Sequence, residues 1–259
     1  DLPAQTLTFS LGAGAPSGAS INSTTGVFTW TPTESQGPGV YTIRIIVSDG
    51  SLQDYEDVEV TVYEVNVAPA LDPIGAKSVN ELSLLTFTAT ASDTDLPPQA
   101  LTFSLGAGAP TGASINASTG VFTWTPTEAQ GPGSYPINIT VSDGSLEDYE
   151  VITVTVYEVN LAPVLDPIGS KSVNELVLLT FTATASDPDV PPQTLTFSLG
   201  PGAPAGASIN STTGVFTWTP TESQGPGSYP INITVSDGSL TDFEVITVTV
   251  YEVNSAPIL

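Results

Sequence analysis

The sequence has no cysteine, no histidine and no methionine, and only three of its 259 residues are basic. Without cysteine, the chain forms no disulfide, no zinc–thiolate site and no thiol nucleophile. Without histidine, it lacks the usual general base of nucleophilic catalysis. Hydrolysis by paired carboxylates is the one common chemistry left, and no spacing in the sequence supports it.

Positive charge is scarce, because Arg44, Lys77 and Lys171 face 27 acidic residues, for a net charge of -24. A chain of this charge repels phosphate backbones and anionic membranes, so we expect no nucleic-acid partner. No apolar run approaches the roughly 20 residues that cross a bilayer, and we expect no direct membrane insertion. The excess carboxylates remain open to three interpretations: a solvated surface, adaptation to salt, or ligands for divalent cations.

The chain is an internal repeat with a 94-residue period, marked by Trp30, Trp124 and Trp218. Residues 67–160 and 161–254 differ at only 14 positions, so each copy carries the same candidate site residues. We therefore predict a partial repeat at 1–66 that lacks the segment equivalent to 67–94, complete repeats at 67–160 and 161–254, and the start of another at 255–259. The absence of an initiator methionine agrees with a window on a longer array.

Within one copy, apolar residues alternate with polar ones over short stretches bounded by Gly, Pro and Asn. Leu85, Phe87, Ala89 and Ala91 share one face in this pattern. The same alternation occurs at Leu101–Leu105, at Tyr135–Val141 and at Ile152–Val156, and Phe122 and Trp124 supply bulky inward residues. No helical stripe competes, so the sequence predicts an all-β chain of Ig-like sandwiches with about seven strands each.

The order of five motifs carries a family resemblance: VNE, TATASDPD, INSTTGVFTW, ITVSDG and VTVYEVN followed by AP. This order resembles the cadherin repeat, and it is most similar to the dystroglycan-type cadherin-like and Ig-like modules of bacterial and archaeal surface proteins. The resemblance covers essentially the whole chain. It implies tandem β-sandwiches, an extracellular location at the cell surface, and a structural or adhesive function without catalysis.

The resemblance also implies calcium at each junction between repeats. Calcium takes six to eight oxygen ligands, and an ion held by two domains fixes their angle. Carried over by motif, the first junction offers Glu34, Glu64, Asn66, Asp93, Asp95 and Asp143, without the upstream strand glutamate. The second junction offers Glu81, Glu128, Glu158, Asn160, Asp187, Asp189 and Asp237.

The connector departs from the cadherin pattern in three ways. It is one residue shorter, Val67 or Leu161 stands in place of the linker aspartate, and Pro126 stands in place of the acid before the strand-end glutamate. These changes remove ligands from a multi-ion cluster. Two interpretations stay open: at least one calcium ion at each junction, or solvated acidic side chains.

Other constellations each have two interpretations. Asp148-Tyr149-Glu150 places two carboxylates on one side of a strand, as acid–base pairs or metal ligands require, but we favour an aromatic side chain in the core and two acids in water. The three tryptophans suit a carbohydrate platform or, as we favour, the core. The single lysine of each complete copy, Lys77 or Lys171, invites a lysine–asparagine isopeptide bond, although it is ordinary for the resembled modules.

Five N-x-S/T sequons suggest glycosylation in a suitable host. Three precede Thr-Gly or Ser-Thr-Gly turns, where asparagine also suits the backbone, and two lie on a strand where we expect exposed side chains. The sites are Asn22, Asn116, Asn210, Asn138 and Asn232.

The sequence favours a non-enzymatic structural region of an extracellular stalk, adhesin shaft or fibre, stiffened at its junctions by calcium or by direct packing. Its expected partners are neighbouring repeats of a longer chain, with identical chains in a filament as a further option. Two alternatives remain: a multivalent carbohydrate- or cell-binding module, and an accessory region of a large secreted hydrolase.

Overall fold

A computed structural model describes residues 4–254. Its described residues form strands and three short 3-10 turns, and none of its helices is long and apolar enough to cross a membrane. The chain divides into two compact units. One comprises Asp1–Lys77, Leu85–Trp124 and Tyr135–Val154, and the other comprises Ser78–Leu84, Thr125–Ser134 and Thr155–Leu259.

The first repeat contains five strands: β1 (Thr8–Leu11), β2 (Ser20–Ile21), β3 (Phe28–Thr29), β4 (Gly39–Ser48) and β5 (Gln53–Val62). The second contains nine: β6 (Ala70–Leu71), β7 (Lys77–Asn80), β8 (Leu85–Thr88), β9 (Ala91–Ser92), β10 (Thr102–Leu105), β11 (Ser114–Ile115), β12 (Val121–Trp124), β13 (Gly133–Ser142) and β14 (Glu147–Tyr157).

The third repeat contains the same nine: β15 (Val164–Leu165), β16 (Lys171–Asn174), β17 (Leu179–Thr182), β18 (Ala185–Ser186), β19 (Thr196–Leu199), β20 (Ser208–Ile209), β21 (Val215–Trp218), β22 (Gly227–Ser236) and β23 (Thr241–Tyr251). The turns are Glu34–Gln36, Glu128–Gln130 and Glu222–Gln224. Residues 255–259, the predicted start of another repeat, lie outside the described residues.

The third repeat shows the complete architecture. One sheet has the order β16-β23-β22-β19, with β16 parallel to β23, and the other has the order β17-β21-β20. The inward residues of both sheets form one core, in which Phe181 stacks on Phe216 at 4.7 Å and Trp218 is 1% exposed. This is the all-β, Ig-like sandwich that the sequence predicts, and the fold prediction is confirmed.

Each complete repeat has nine strands and not the predicted seven, because the first strand is split and the short β18 follows β17 as a separate strand. β15 pairs with β18, whereas β16 pairs with β23 in the main sheet. Pro167 and Gly169 lie between the two parts, and Gly169 has a φ of 69° that L residues rarely adopt. This break allows β15 to pair with β18 and β16 to pair with β23.

The favoured interpretation of Asp148-Tyr149-Glu150 is wrong. Tyr149 is 64% exposed, while the Asp148 carboxylate accepts the Leu71 N–H at 2.8 Å. The Glu150 carboxylate accepts the N–H groups of Ile74 and Gly75 at 2.7 and 3.0 Å. Asp242 and Glu244 bind the corresponding N–H groups of the third repeat. The acids hold the split first strand, whose exposed backbone donors need acceptors.

The first repeat has no segment equivalent to strands β6–β9 in its sequence, and its sheets are β1-β4-β5 and β2-β3. An apolar cavity of about 240 Å³ opens between Phe28, Ile43, Ile45, Val58 and Val60. The corresponding Phe216 in the third repeat is covered by Phe181. The first repeat is therefore an incomplete sandwich in this sequence.

Trp124 and Trp218 lie in the core, as favoured from the sequence, and each is 1% exposed, whereas Trp30 of the first repeat is half-buried. Lys171 Nζ donates to the Ile168 carbonyl oxygen and lies 5.5 Å from the Phe181 ring centroid. These contacts place a carbonyl group and an aromatic ring beside the lysine, and give an isopeptide bond no support. The same pair of contacts surrounds Lys77.

The sequons differ in exposure. In the Thr-Gly turns, the asparagine Oδ1 accepts two backbone N–H groups and the residue is exposed, at Asn22, Asn116 and Asn210. Asn138 and Asn232 are half-buried and not exposed as expected, because their side chains pack against Gly106 and Gly200. Glycosylation remains a prediction, and the turn sequons are the accessible ones.

Candidate metal centres

Three glutamates of the second repeat converge within one compact unit. One carboxylate oxygen each of Glu81, Glu128 and Glu158 lies within 4.8 Å of the other two. Glu81 follows β7, Glu158 follows β14, and Glu128 begins the turn after β12. That turn is held by a capping box, in which Gln130 Oε1 accepts the Thr127 N–H at 2.9 Å.

Glu81 is held rigidly and is 0% exposed. Its N–H donates to the Tyr157 carbonyl oxygen at 2.9 Å, and its Oε1 accepts the Val159 N–H at 2.9 Å. Its Oε2 is buried without a hydrogen-bond partner, as are Glu128 Oε2 and both oxygens of Glu158. Buried polar atoms normally have partners, so these four oxygens are candidate ligand atoms.

The like charges and the burial shift the pKa values of these acids. Burial, and then the charges of Glu81 and Glu128, raises the pKa of Glu158 to about 7. Burial also raises the pKa of Glu128, with Glu81 and Asp189 contributing further. A cation in this cluster would remove the repulsion that causes part of each shift.

The aspartates of the third repeat face the connector from the other side. Both oxygens of Asp189 accept the Leu161 N–H, at 3.0 and 3.2 Å. Asp187 Oδ1 accepts the Asp189 N–H at 3.0 Å, and its Oδ2 is buried without a partner. Glu128 Oε1 accepts the Val190 N–H at 3.1 Å, so the acids of one repeat already bind the backbone of the next.

Asp237 and Asn160 are engaged in hydrogen bonds. Asp237 Oδ1 accepts the N–H groups of Ser239 and Leu240 at 2.6 and 2.7 Å, and these bonds lower its pKa. Its Oδ2 accepts from Asn160 Nδ2 at 2.9 Å. Asn160 Oδ1 in turn accepts from Gln193 Nε2 at 2.6 Å. Gln193 was not predicted from the sequence; its recurrence at the repeat period in PPQ, after Asp-x-Asp, is the signal that would have identified it.

The first junction has a related arrangement within the other unit, with two groups of carboxylates that share Asp95. Glu34, Glu64 and Asp95 form one group of carboxylates within 4.8 Å, and Asp93, Asp95 and Asp143 form a second. Asn66 Nδ2 donates to Asp143 Oδ2 at 2.8 Å, and Gln99 Nε2 donates to Asn66 Oδ1. The buried oxygens without partners there belong to Glu64, Asp93 and Gln99.

A third group of carboxylates, Glu175, Glu222 and Glu252, occurs at the end of the third repeat. Glu175 is 1% exposed and its Oε1 accepts the Val253 N–H at 2.9 Å, as Glu81 does with Val159. The residues that follow, 255–259, lie outside the described part of the chain. The upstream half of the site therefore forms from one repeat alone.

The donor atoms fit a hard cation. They are carboxylate and amide oxygens, the ligand class that calcium prefers, and the chain has no thiolate or imidazole that would favour zinc or copper. At the second junction the buried oxygens without partners belong to Glu81, Glu128, Glu158, Asp187 and Gln193. This donor set is large enough for a calcium ion.

The raised pKa values predict an unusual pH dependence for the metal-free chain. A group whose folded-state pKa is above its unfolded value stabilises the fold below the unfolded pKa and loses that contribution as pH rises through the folded pKa. For Glu158, with a pKa of about 7, the loss falls between about pH 4.5 and 7. Thermal melts at pH 5, 6, 7 and 8 in metal-free buffer should show it, and Glu158→Gln should flatten the profile. A melting temperature that rises steadily over this range would contradict the prediction.

The chain was compared with known proteins. The model of the family described as Putative Ig domain matches residues 1–63, 68–157 and 162–251. Chitinase A of Pseudoalteromonas piscicida is 35% identical over 126 residues, which are 48% of this chain and 15% of the relative. The chain therefore spans a small part of that protein's length.

Solved structures with a similar fold include cadherin ectodomains. The mouse protocadherin-24 EC1-3 structure has a TM-score of 0.48 and 17% identity, with 95% of this chain and 91% of that chain covered. The protocadherin GammaB4 extracellular domain has a TM-score of 0.47 and 19% identity, with coverage of 95% and 43%.

Proposed function

Because the chain belongs to the Putative Ig domain family, we propose that it is a non-enzymatic structural segment of an extracellular stalk, adhesin shaft or fibre, with calcium bound where one repeat follows another. The proposal takes the tandem repeats as its premise. Its finer part, the bound ion, rests on the chemistry of the junctions.

The observation that carries the proposal is the set of buried carboxylate oxygens without partners at both junctions. An ionised carboxylate buried beside other carboxylates is unfavourable unless it is neutralised by a proton or a cation. Calcium would supply two positive charges and accept six to eight oxygen ligands. The second junction would hold it with Glu81, Glu128 and Glu158, whose carboxylates converge, and with Asp189, whose charge acts on Glu128 and Glu158.

Calcium would stabilise the connection because its ligands come from consecutive repeats. Glu81, Glu128 and Glu158 belong to the second repeat, whereas Asp189, which acts on the charges of Glu128 and Glu158, belongs to the third. One cation would thus replace repulsion between acids of the two repeats with attraction to a shared charge. Repetition of this device along an array would hold many domains in a defined order, which is the property that a stalk or fibre needs.

The two junctions should differ in affinity. Within residues 1–259 the first junction has no equivalent of Glu81, so in a chain of these residues it offers one carboxylate fewer. Calcium affinity depends on the number of charged ligands. We therefore expect the second junction to bind calcium at least about tenfold more tightly than the first. Calorimetric titration of the chain with calcium chloride should resolve two classes of site.

Single variants assign the two classes. Glu158→Gln should weaken only the tighter class, and Glu64→Gln only the weaker one. If the wild-type chain releases or takes up no heat and binds no calcium up to millimolar concentration, the proposed function is wrong in its calcium part.

A second candidate function is an accessory region of a large secreted hydrolase. The specific observation in its favour is the 35% identity to part of chitinase A, which extends over only 15% of that protein. The repeats would then act as a spacer beside a catalytic domain. Sequencing the parent reading frame decides it, because a frame without a hydrolase domain would eliminate this candidate.

Carbohydrate binding by the tryptophans has little support, since Trp124 and Trp218 are each 1% exposed and cannot stack on a sugar. A glycan array probed with the chain would test any other binding surface. Absence of binding would argue against a carbohydrate-binding module and would leave the structural function in place.

A further inference from the structure

Asp237, Asn160 and Gln193 form one continuous chain of hydrogen bonds at the second junction. Asp237 Oδ2 accepts from Asn160 Nδ2 at 2.9 Å, and Asn160 Oδ1 accepts from Gln193 Nε2 at 2.6 Å. The same chain runs through Asp143, Asn66 and Gln99 at the first junction. Its recurrence in both junctions makes it a built feature of the repeat.

The ionised aspartate determines the orientation of both amides. Asp237 Oδ1 is already occupied by two backbone N–H groups, and its Oδ2 can only accept, so Asn160 must present its NH₂ group. Asn160 Oδ1 then faces Gln193, which must also present its NH₂ group. The Gln193 Oε1 is consequently directed away from these hydrogen bonds.

The two amide oxygens therefore differ in their hydrogen-bond partners. Asn160 Oδ1 has a hydrogen-bond donor, whereas Gln193 Oε1 is buried without any partner among the described residues. Gln99 Oε1 is buried without a partner in the same way. Asp187 Oδ2 at the second junction and Asp93 Oδ2 at the first are also buried without a hydrogen-bond donor. At each junction the glutamine oxygen is therefore one of several buried oxygens that lack donors.

We propose that Gln193 and Gln99, and not Asn160 and Asn66, supply the neutral oxygen ligand to calcium at the two junctions. Asn160 and Asn66 are positioning residues that turn the glutamine oxygen toward the cation. The inference rests on the proposed function, that the junctions bind calcium.

The chemistry suits this assignment. Side-chain amide oxygens are ordinary calcium ligands. A neutral ligand adds an oxygen to a site that is already crowded with negative charge, without adding repulsion among its acids. It also replaces a ligand lost from the connector, where Leu161 and Val67 stand in place of an acid.

The test is calorimetric titration of the full chain with calcium chloride, using the double variant Gln99→Leu/Gln193→Leu. We expect affinity to fall about tenfold or more at both junctions, because an oxygen ligand is lost. Gln99→Glu/Gln193→Glu retains an oxygen but loses the NH₂ group that donates to Asn66 or Asn160, so it should bind less tightly than wild type and more tightly than the leucine variant. Gln53→Leu, at an exposed position on β5, is the matched control and should bind as wild type does.

A second measurement does not depend on how the variants fold. In ¹H–¹⁵N spectra of the wild-type chain, calcium should shift the side-chain amide signals of Gln99 and Gln193, and these signals are assigned from their loss in single variants. Asn160→Leu should weaken the shift of the Gln193 signals, because it removes the Oδ1 atom that accepts the Gln193 NH₂ group.

The outcomes are distinguishable. The inference would be overturned if the leucine double variant bound calcium with wild-type affinity, or if the glutamine amide signals did not shift with calcium. Either result would leave the proposed function intact. No binding by the wild-type chain would overturn both.

Discussion

Calcium at about 100 times its dissociation constant is expected to raise the melting temperature of the metal-free chain by about 10 °C or more. Binding to the folded state at that concentration contributes about 2.7 kcal/mol, and each kcal/mol shifts a domain of this size by about 4–8 °C. The physical cause is neutralisation of Glu81, Glu128 and Glu158, whose buried oxygens have no donors. Differential scanning calorimetry in calcium and then in excess chelator measures the shift.

The controls separate ligands from ordinary surface acids. Glu81→Gln should reduce the calcium-dependent rise, whereas Glu147→Gln, an exposed acid at the start of β14, should leave it unchanged. Magnesium should give a smaller rise, because it dehydrates reluctantly and requires a near-octahedral site. Identical melting curves in calcium and chelator would show that the carboxylates bind no calcium, and the connector would then depend on direct packing.

Gly131→Ala is expected to destabilise the second repeat by about 1–3 kcal/mol, the usual effect of overpacking, and to abolish calcium binding at the second junction. A Cβ at this position would lie 1.8 Å from Glu81 Oε2 and 2.8 Å from Glu81 Cδ. Glu81 has no room to yield, because it is fully buried and its Oε1 binds the Val159 N–H. Urea denaturation with and without calcium, together with calorimetric titration, measures both effects.

Gly37→Ala is a matched control within the same chain. Gly37 and Gly131 share nearly the same backbone angles, with φ of -111° and -110°, which any L residue adopts. The first repeat has no glutamate equivalent to Glu81, and a Cβ on Gly37 would meet Val62 Cγ1 at 3.3 Å. We expect a small effect there. Equal destabilisation by the two substitutions would show that the backbone, and not the Glu81 carboxylate, requires glycine.

Much of the fold could be predicted from the sequence because its signals are local and periodic. Ile152, Val154 and Val156 alternate with polar residues, and this pattern requires a strand with one buried face. The 94-residue spacing of the tryptophans predicted the repeats. The split first strand was missed, since its two pairing partners, β18 and β23, are far apart in sequence and nothing local indicates a change of partner.

The candidate site was predicted only through family motifs, which nominate residues without orienting them. Asp148-Tyr149-Glu150 shows the limit of a local pattern. Alternation places the two acids on one side of a strand, but it cannot reveal which side is covered. Nor can it reveal that the acids accept hydrogen bonds from the N–H groups of Leu71, Ile74 and Gly75. The glutamines were missed because their recurrence in PPQ marks them without revealing their partners, which lie 33 positions away in the sequence.

The sequence by itself determined the class of protein: a repeated, acidic, all-β chain without thiol or imidazole chemistry. These properties follow from composition and from the alternation of apolar residues, which need no knowledge of contacts. Only the tertiary structure decided which oxygens have donors. Asp237 and Asn160 satisfy each other, while Glu81, Glu158 and Gln193 are left with buried oxygens that have no donor. That distinction depends on distances between distant segments, and those exist only once the strands have packed.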